Sequence, residues 1–285
     1  MEVPAGKPRL WWASVGKAFV AVVVLQLVEE GKLSLDAPVS HWIKDVPNGG
    51  TATIRDLLAH TSGLFSANED LRVRVRPHYL LPKETLTILR RHGAMFCPGS
   101  HWRYSNSGYD LLAVIVEALD RRPLPDAIEA RIVRPLALSS IVALRPGQPA
   151  ATTAPPVTAK GTPTDISTVG AGGPIAGAPA DMVRFWSALL GGRLLKPETV
   201  TTMFARLYPM FDAGTFYGLG VMVLDVNDAG RHDTWLGHAG GSVGASAMLA
   251  YSPADRAIVA VALTGDGSAA AAANGVLKSL RSVPE

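Results

Sequence analysis

Ala13-Ser14-Val15-Gly16-Lys17 runs directly into Ala18-Phe19-Val20-Ala21-Val22-Val23-Val24-Leu25. An apolar run of this length with no polar stripe reads as a helix buried on every side. If Ser14 opens that helix, Lys17 falls on the same face, one turn on. A serine hydroxyl becomes a useful nucleophile only when a nearby base takes its proton. A lysine becomes such a base when burial or a neighbouring cation lowers its pKa. Ser14 and Lys17 therefore have the spacing and the setting of a nucleophile and its base. The plainer reading, an N-cap serine beside a snorkelling lysine, fits the same residues.

The whole chain has 285 residues, is 48% hydrophobic and carries a formal charge of +3. That is enough apolar material for one large folded unit or two interlocked ones. Basic residues are scattered, without the stripe that nucleic acid or an anionic membrane would select, so no nucleic-acid partner is expected. One cysteine excludes an internal disulfide framework. The run from Ala18 to Val28 is interrupted by Gln26 and is too short to span a bilayer. Met1 to Trp12 has no apolar leader core, so the expectation is a cytoplasmic chain as given, or a periplasmic or secreted one if a signal peptide has been removed.

Further along, Gly31 suits a helix C-terminus, and Thr53 to His60 reads as a short helix. His60 is a candidate base, although a histidine beside Thr61-Ser62-Gly63 is more often structural. Arg72, Arg74 and Arg76 form a solvated rim in the plainer reading. His92, Cys97 and His101 have metal-capable side chains but no fourth ligand nearby, so no metal and no cofactor is assigned. Helices are expected over Glu84 to Arg91, from Ser107 through Leu119, over Pro125 to Val133, from Ala178 to Leu190, over Glu198 to Ala205 and over Asn274 to Leu280. Ser107 with Asp110 reads as a capping box, leaving Tyr104 and Asn106 at the loop-to-helix junction. There the phenol can shuttle a proton, and the amide can bridge a lysine and a substrate carbonyl. Pro149 to Gly173 is a long Pro-, Thr-, Ala- and Gly-rich loop, expected near the mouth of the site or partly mobile. Strands are expected at Tyr217 to Leu224, Ala245 to Tyr251 and Ala257 to Leu263, with a turn at Asn227-Asp228-Ala229-Gly230. Gly237 to Gly244 reads as a glycine-rich loop carrying His238, a candidate cation or proton donor opposite Ser14.

Ser14-Val15-Gly16-Lys17, Tyr104-Ser105-Asn106 and His238-Ala239-Gly240 follow one another in that order. Together they resemble the three motifs of the serine beta-lactamase and penicillin-binding-protein superfamily. The Tyr-x-Asn motif is similar to that of the branch holding class C beta-lactamases, D-alanyl-D-alanine carboxypeptidases, D-aminopeptidases and related esterases. Leu27 to Asp36, Asp56 to Leu64, Gly172-Gly173, Ala180 to Met182 and Gly237 to Gly241 extend the resemblance over nearly the whole chain. It implies an α+β fold: an antiparallel sheet flanked by helices, with a mostly helical insertion over about 38–174 and a sheet-rich part over about 1–37 and 175–285. It implies one catalytic unit over 1–285 in which Ser14 forms an acyl-enzyme. Lys17 and Tyr104 then share the base work, and Asn106 orients Lys17 and substrate. His238 stands where relatives often carry lysine and sets the charge of the site. Gly240 and Gly241 line the substrate position, where the N–H groups of Ser14 and Gly241 make an oxyanion hole.

Two features depart from that pattern. Few residues precede Ser14, so sheet strands of the family are expected to be missing. The exposed edge would then pair with a second subunit or be covered by Met1 to Trp12, with Trp11 and Trp12 packed inward. Ala239 stands where relatives often have a hydroxyl that helps hold a substrate carboxylate, which weakens the beta-lactamase case and favours esters, or peptides held differently. The expected function is a serine hydrolase of esterase type, acting on a small ester, amide or D-peptide. A D-amino-acid peptidase, a DD-peptidase or a weak beta-lactamase is the near alternative. A non-catalytic relative binding a peptidoglycan-like ligand is the alternative from another class. Gly240-Gly241-Ser242-Val243-Gly244 also matches a nucleophile elbow. No histidine follows Ser242 and the next segment reads as strand, so that assignment is rejected.

Overall fold

The computed structural model describes residues 9–281 apart from 149, 151, 160, 229 and 230. The chain enters on β1 (Leu10–Trp11), tightens into a 3-10 turn over Ala13–Gly16, and continues as α1 (Lys17–Glu29). Every residue of α1 from Lys17 to Leu25 is buried, as its unbroken apolar sequence requires. Gly31, at φ +69°, stops the helix in the left-handed region. A helical layer follows, with α2 (Ile54–Ala59), α3 (Leu71–Val75), α4 (Pro82–His92), α5 (Asn106–Asp120) and α6 (Leu124–Ile128). α6 runs on into a π-helical turn at Glu129–Val133. α2 starts on a reciprocal capping box. Thr53 Oγ1 accepts from the Asp56 N–H, and the Asp56 carboxylate accepts from the Thr53 N–H.

β2 (Val142–Ala143) and β3 (Ile175–Gly177) join β1 in a small sheet of order β1-β3-β2. After α7 (Pro179–Leu190) and α8 (Pro197–Ala205) the chain builds its main sheet. Its strands are β4 (Tyr208–Pro209), β5 (Thr215–Tyr217), β6 (Met222–Asp228), β7 (Arg231–Ser242), β8 (Ala245–Ser252) and β9 (Ala257–Thr264). They pair antiparallel in sequence order, and α9 (Ala269–Arg281) closes the chain.

Alternation along β8 shows how the layers stack. Met248 and Ala250 pack with Ala269, Ala273 and Leu277 of α9, whereas Ala247 and Leu249 belong to the core that holds α1 and α7. α1 also contacts α5 and α6, while its Phe19 stacks on Phe185 of α7 at 3.7 Å. The nucleophile segment therefore begins at the junction of sheet and helical layer. This is the α+β arrangement that the motifs imply.

Several local expectations need correction. Gly237 to Ser242 is not a loop but the end of the 12-residue strand β7. Its glycines mark close backbone approach rather than a turn. A Cβ on Gly237 would lie 2.2 Å from the Leu249 carbonyl oxygen, and one on Gly240 would lie 2.5 Å from that of Trp12. The single strand expected over Tyr217 to Leu224 is broken at Gly218–Val221. Gly220, at φ +72°, brings that turn under α1, where a Cβ would sit 2.4 Å from Ala21 Cβ. Ser107 and Asp110 form no capping box: the Ser107 hydroxyl accepts from the Ala67 N–H and Asp110 from the Ala171 N–H. Trp11 and Trp12 are buried. β9 forms one edge of the main sheet. Met1 to Pro8, expected to help cover that edge, lie outside the described residues, as do Ala229 and Gly230 of the expected turn.

Candidate active site

Ser14 sits in the 3-10 turn that precedes α1, directly after Ala13, whose φ of +45° is left-handed. Such a conformation is unfavourable for alanine and persists only where the surroundings fix it. Two tryptophans do so. Trp11 Nε1 donates to the Gly173 carbonyl (2.9 Å) and Trp12 Nε1 to that of Gly177 (3.0 Å). Gly16 completes the turn, since a Cβ there would lie 2.6 Å from Pro174 Cδ.

Lys17 is fully buried, and its Nζ meets three oxygens. Asn106 Oδ1 is at 2.7 Å, the Gly172 carbonyl at 2.6 Å and Ser14 Oγ at 3.2 Å. Burial lowers the Lys17 pKa from 10.5 to about 7, with the nearby Asp110 carboxylate pulling the other way. At neutral pH much of the lysine is therefore an amine. Two of its contacts are pure acceptors, so a neutral amine donates one N–H to each and turns its lone pair toward the Ser14 hydroxyl.

Asn106 is held in the matching orientation. Its Nδ2 donates to Asn68 Oδ1 (3.1 Å), its backbone N–H to Ser66 Oγ (2.9 Å), and Ser66 Oγ donates to Asn68 Oδ1 (2.7 Å). The amide oxygen is left facing Lys17.

Tyr104 lies 4.8 Å, ring centroid to Nζ, from Lys17. Its hydroxyl is buried without a partner of full hydrogen-bond geometry. Burial raises its pKa, partly offset by the neighbouring Ser14 hydroxyl, so it stays a phenol. Tyr104, Gly240 and Gly241 join Ser14 along one cleft of about 410 Å³, whose other walls include Met210, Phe211, Met222 and Met248. Ala239 lines it too, with a methyl rather than a hydroxyl. On its other side Ser14 opens into a cleft of about 440 Å³ lined by Asn106, Asp110, Arg74, Thr164, Gly172 and Gly241, among others. Part of this wall comes from the long loop, as its composition suggested.

His238 is placed differently from the expectation. It is fully buried and lines neither cleft. Its Nδ1 donates to the Ala239 carbonyl (2.6 Å), which leaves Nε2 to accept from the Tyr217 hydroxyl (3.0 Å). Burial first, and Lys17 second, lower its pKa to about 3, so it carries no charge at working pH. His60 is buried behind Tyr104, ring centroids 4.1 Å apart, where its Nδ1 accepts from the Ser105 N–H. It reaches neither cleft. His92 stacks on Phe65 and pairs with Asp70, away from any cluster with Cys97 and His101. Among the described residues no three His, Cys, Asp or Glu side chains converge as a metal site needs.

Three participants were not singled out from sequence for the parts they play here. Gly172 was noted only as part of a Gly-Gly pair, Asp110 was read as a cap, and Asn68 carried no signal. A Cβ on Gly172 would lie 2.6 Å from Asn106 Oδ1, so the glycine lets the loop carbonyl reach Lys17.

A fully buried lysine bonded to a serine that follows a left-handed alanine, where an antiparallel sheet meets a helical layer, sets the class of fold and site to compare with known proteins. The chain belongs to the beta-lactamase family, whose sequence pattern matches residues 9–280. It is 29% identical over 213 residues to PbpX of Bacillus subtilis (strain 168), covering 73% of this chain and 51% of that protein. It is 36% identical over 148 residues to the esterase EstB of Burkholderia gladioli, covering 44% of this chain and 36% of that protein. Among solved structures, a D-stereospecific amidohydrolase from Streptomyces sp. superimposes with a TM-score of 0.77 at 30% identity, covering 92% of this chain and 84% of that one. The chain spans about half or less of the length of these two curated relatives. No helix among the described residues is long and apolar enough to cross a membrane.

Proposed function

We propose that this chain is a serine hydrolase that acts on small esters and amides through an acyl-enzyme on Ser14. The observation that carries the reading is the set of three contacts at Lys17 Nζ, two to fixed acceptors and the third to the Ser14 hydroxyl. In this reading neutral Lys17 takes the Ser14 proton as Oγ attacks the carbonyl carbon. Tyr104, held as a phenol, protonates the departing oxygen or nitrogen and is reprotonated from Lys17. Water then enters by the reverse path, releasing the acid and restoring Ser14. The N–H groups of Ser14 and Gly241 are assigned to the developing oxyanion, where each donor is worth roughly 3 kcal/mol.

Esters are the first substrate class, because Ala239 offers no hydroxyl to a carboxylate and His238 is neutral and buried. Amides of D-amino acids are the second, favoured by the similarity to the Streptomyces amidohydrolase over 92% of the chain. The test is turnover of p-nitrophenyl acetate, with mass spectrometry after a fluorophosphonate probe. A single adduct on Ser14, lost together with turnover in Ser14→Ala, is expected. An adduct on another serine, or turnover that survives Ser14→Ala, refutes the assignment.

A further inference from the structure

Asp110 is a carboxylate inside the substrate cleft for which the proposed reaction has no use. It lies one helical turn beyond Asn106 on α5, so both side chains emerge on the same face of the helix. That face borders the cleft containing Ser14. Asp110 also borders a second cavity of about 220 Å³, lined by Tyr79, Leu124 and Pro174 among others, and so stands where the two spaces adjoin.

Its partners are few. One oxygen accepts from the Ala171 N–H at 3.2 Å, and no other hydrogen bond and no ion pair reaches the carboxylate among the described residues. Lys17 acts on it electrostatically, but all three Nζ contacts of that lysine go to Ser14, Asn106 and Gly172. Arg74 is exposed on the cleft wall and makes no ion pair with it, and His78, also on that wall, is engaged by Glu84. A half-buried carboxylate without a paired cation is unfavourable, and desolvation accordingly raises the Asp110 pKa to about 6.

The wall beside it packs close against the carboxylate on its Oδ1 side, the oxygen that Ala171 bonds. A Cβ on Gly170 would lie 2.7 Å from Asp110 Oδ1, so only glycine fits there without displacing it.

We infer that Asp110 is a specificity-determining residue that binds a cationic group of the substrate, an alkylammonium such as a free α-amino group, beside the bond cleaved at Ser14. An ammonium matches the site because it brings both the missing charge and hydrogen-bond donors on a small head, and Asp110 borders two cavities that could hold it. The inference rests on the reading of this cleft as the substrate site, but it is tested by binding rather than turnover.

The Ser14→Ala protein is titrated with D-alanine p-nitroanilide and with N-acetyl-D-alanine p-nitroanilide, a pair that differs at the amine. The free amine is expected to bind about 10- to 100-fold more tightly, the range for hydrogen bonds to a charged group. Asp110→Asn, which is isosteric and keeps the acceptor for Ala171, should bring the two affinities together in the same background. Asp110→Glu should restore part of the difference. Equal affinities in the Ser14→Ala protein, no binding of either compound, or a preference that survives Asp110→Asn overturns the inference. Turnover of p-nitrophenyl acetate by the unmodified protein, having no amine, reports on the hydrolase reading alone.

Discussion

Lys17 separates two regions made from similar side chains. On the cleft side stand Ser14, Asn106, Asp110 and the Gly172 carbonyl, open to solvent through two clefts. Behind it stand His60, Tyr109, Tyr217 and His238, all closed off from water. Among Tyr109, Tyr217 and His238 the proton inventory closes without charge, whereas the buried Nε2 of His60 has no partner. Tyr109 donates to the Leu58 carbonyl, Tyr217 to His238, and His238 to the Ala239 carbonyl. The contact between the two tyrosine hydroxyls, at 3.3 Å, is left without a proton of its own and is correspondingly long. In the front region the arrangement supplies acceptors for a lysine while burial withholds the solvation its charge needs. One wall keeps the lysine's proton loosely held, and the other gives that proton a route. A base of this kind therefore depends on residues that never touch substrate as well as on those that do.

Replacing Lys17 breaks the comparison most severely. Lys17→Met is expected to reduce turnover of p-nitrophenyl acetate by roughly 10²–10⁴, the range for a lost proton-transfer group. The same change should stabilise the fold. The unfolded chain holds the lysine proton up to pH 10.5 and the folded chain only below about 7. Unfolding between those values takes up a proton, so stability rises with pH across that window and a penalty remains below it. Removing the amine should recover at most ~5 kcal/mol at neutral pH, because each tenfold loss of proton affinity on folding costs about 1.4 kcal/mol. Urea unfolding of both proteins at pH 7 and pH 10 checks this. An Lys17→Met protein that is less stable at pH 7 would contradict the assignment of Lys17 as a strained base.

A pH profile sharpens the comparison with a smaller effect. kcat/KM for a neutral ester should rise about tenfold per pH unit below the Lys17 pKa and level off above about 7. Tyr104→Phe should lower the plateau but leave the limb where it is, because the phenol does not titrate in that range. A limb that disappears with Tyr104 would transfer the base role to the phenol.

The smallest effect concerns the rear region. His238→Gln, which keeps an acceptor for Tyr217, should change turnover by no more than a few-fold and act on acid stability instead. The histidine pKa is lowered from 6.5 to about 3 by folding. Its contribution is complete above pH 6.5 and is lost as pH falls toward 3, the loss reaching about 2 kcal/mol at pH 5. Gln should remove that share of the acid sensitivity. His60, whose pKa is also lowered by burial, retains its own. Thermal unfolding at pH 5 and pH 7 measures the difference. A large activity loss with unchanged acid stability would return His238 to the catalytic cleft.

The sequence showed the spine of the site plainly and its walls poorly. Ser14 in the 3-10 turn and Lys17 at the start of α1 lie three residues apart on continuous helical backbone, so their spacing alone brings them together. The apolar run after them required a buried helix, and burial is what lowers the Lys17 pKa. Tyr104 and Asn106 were legible as a loop-to-helix junction. The Gly172 carbonyl was not, because it meets Lys17 across 155 positions of chain and carries no side chain to notice. Asp110 looked like a local cap, since an acid three residues after a serine satisfies that pattern wherever the residues point. Gly237 to Gly241 looked like a loop because glycine disfavours strands in general, and only the packing shows which neighbours it must clear. His238 reads as a candidate cation or proton donor because nothing in its neighbours along the chain records that it is enclosed.

The acceptor supplied by Gly172 has a consequence for inheritance. Ser14, Lys17, Tyr104 and Asn106 can each be lost by changing one codon, but a backbone carbonyl belongs to no residue type and has no codon of its own. Substitution at position 172 leaves the carbonyl in place and sets a Cβ 2.6 Å from Asn106 Oδ1 and 3.3 Å from Lys17 Nζ. Drift at that position therefore acts by crowding the lysine rather than by depriving it of a partner. A lineage could retain all three catalytic motifs and still lose its chemistry through one methyl group on a loop that lies outside them.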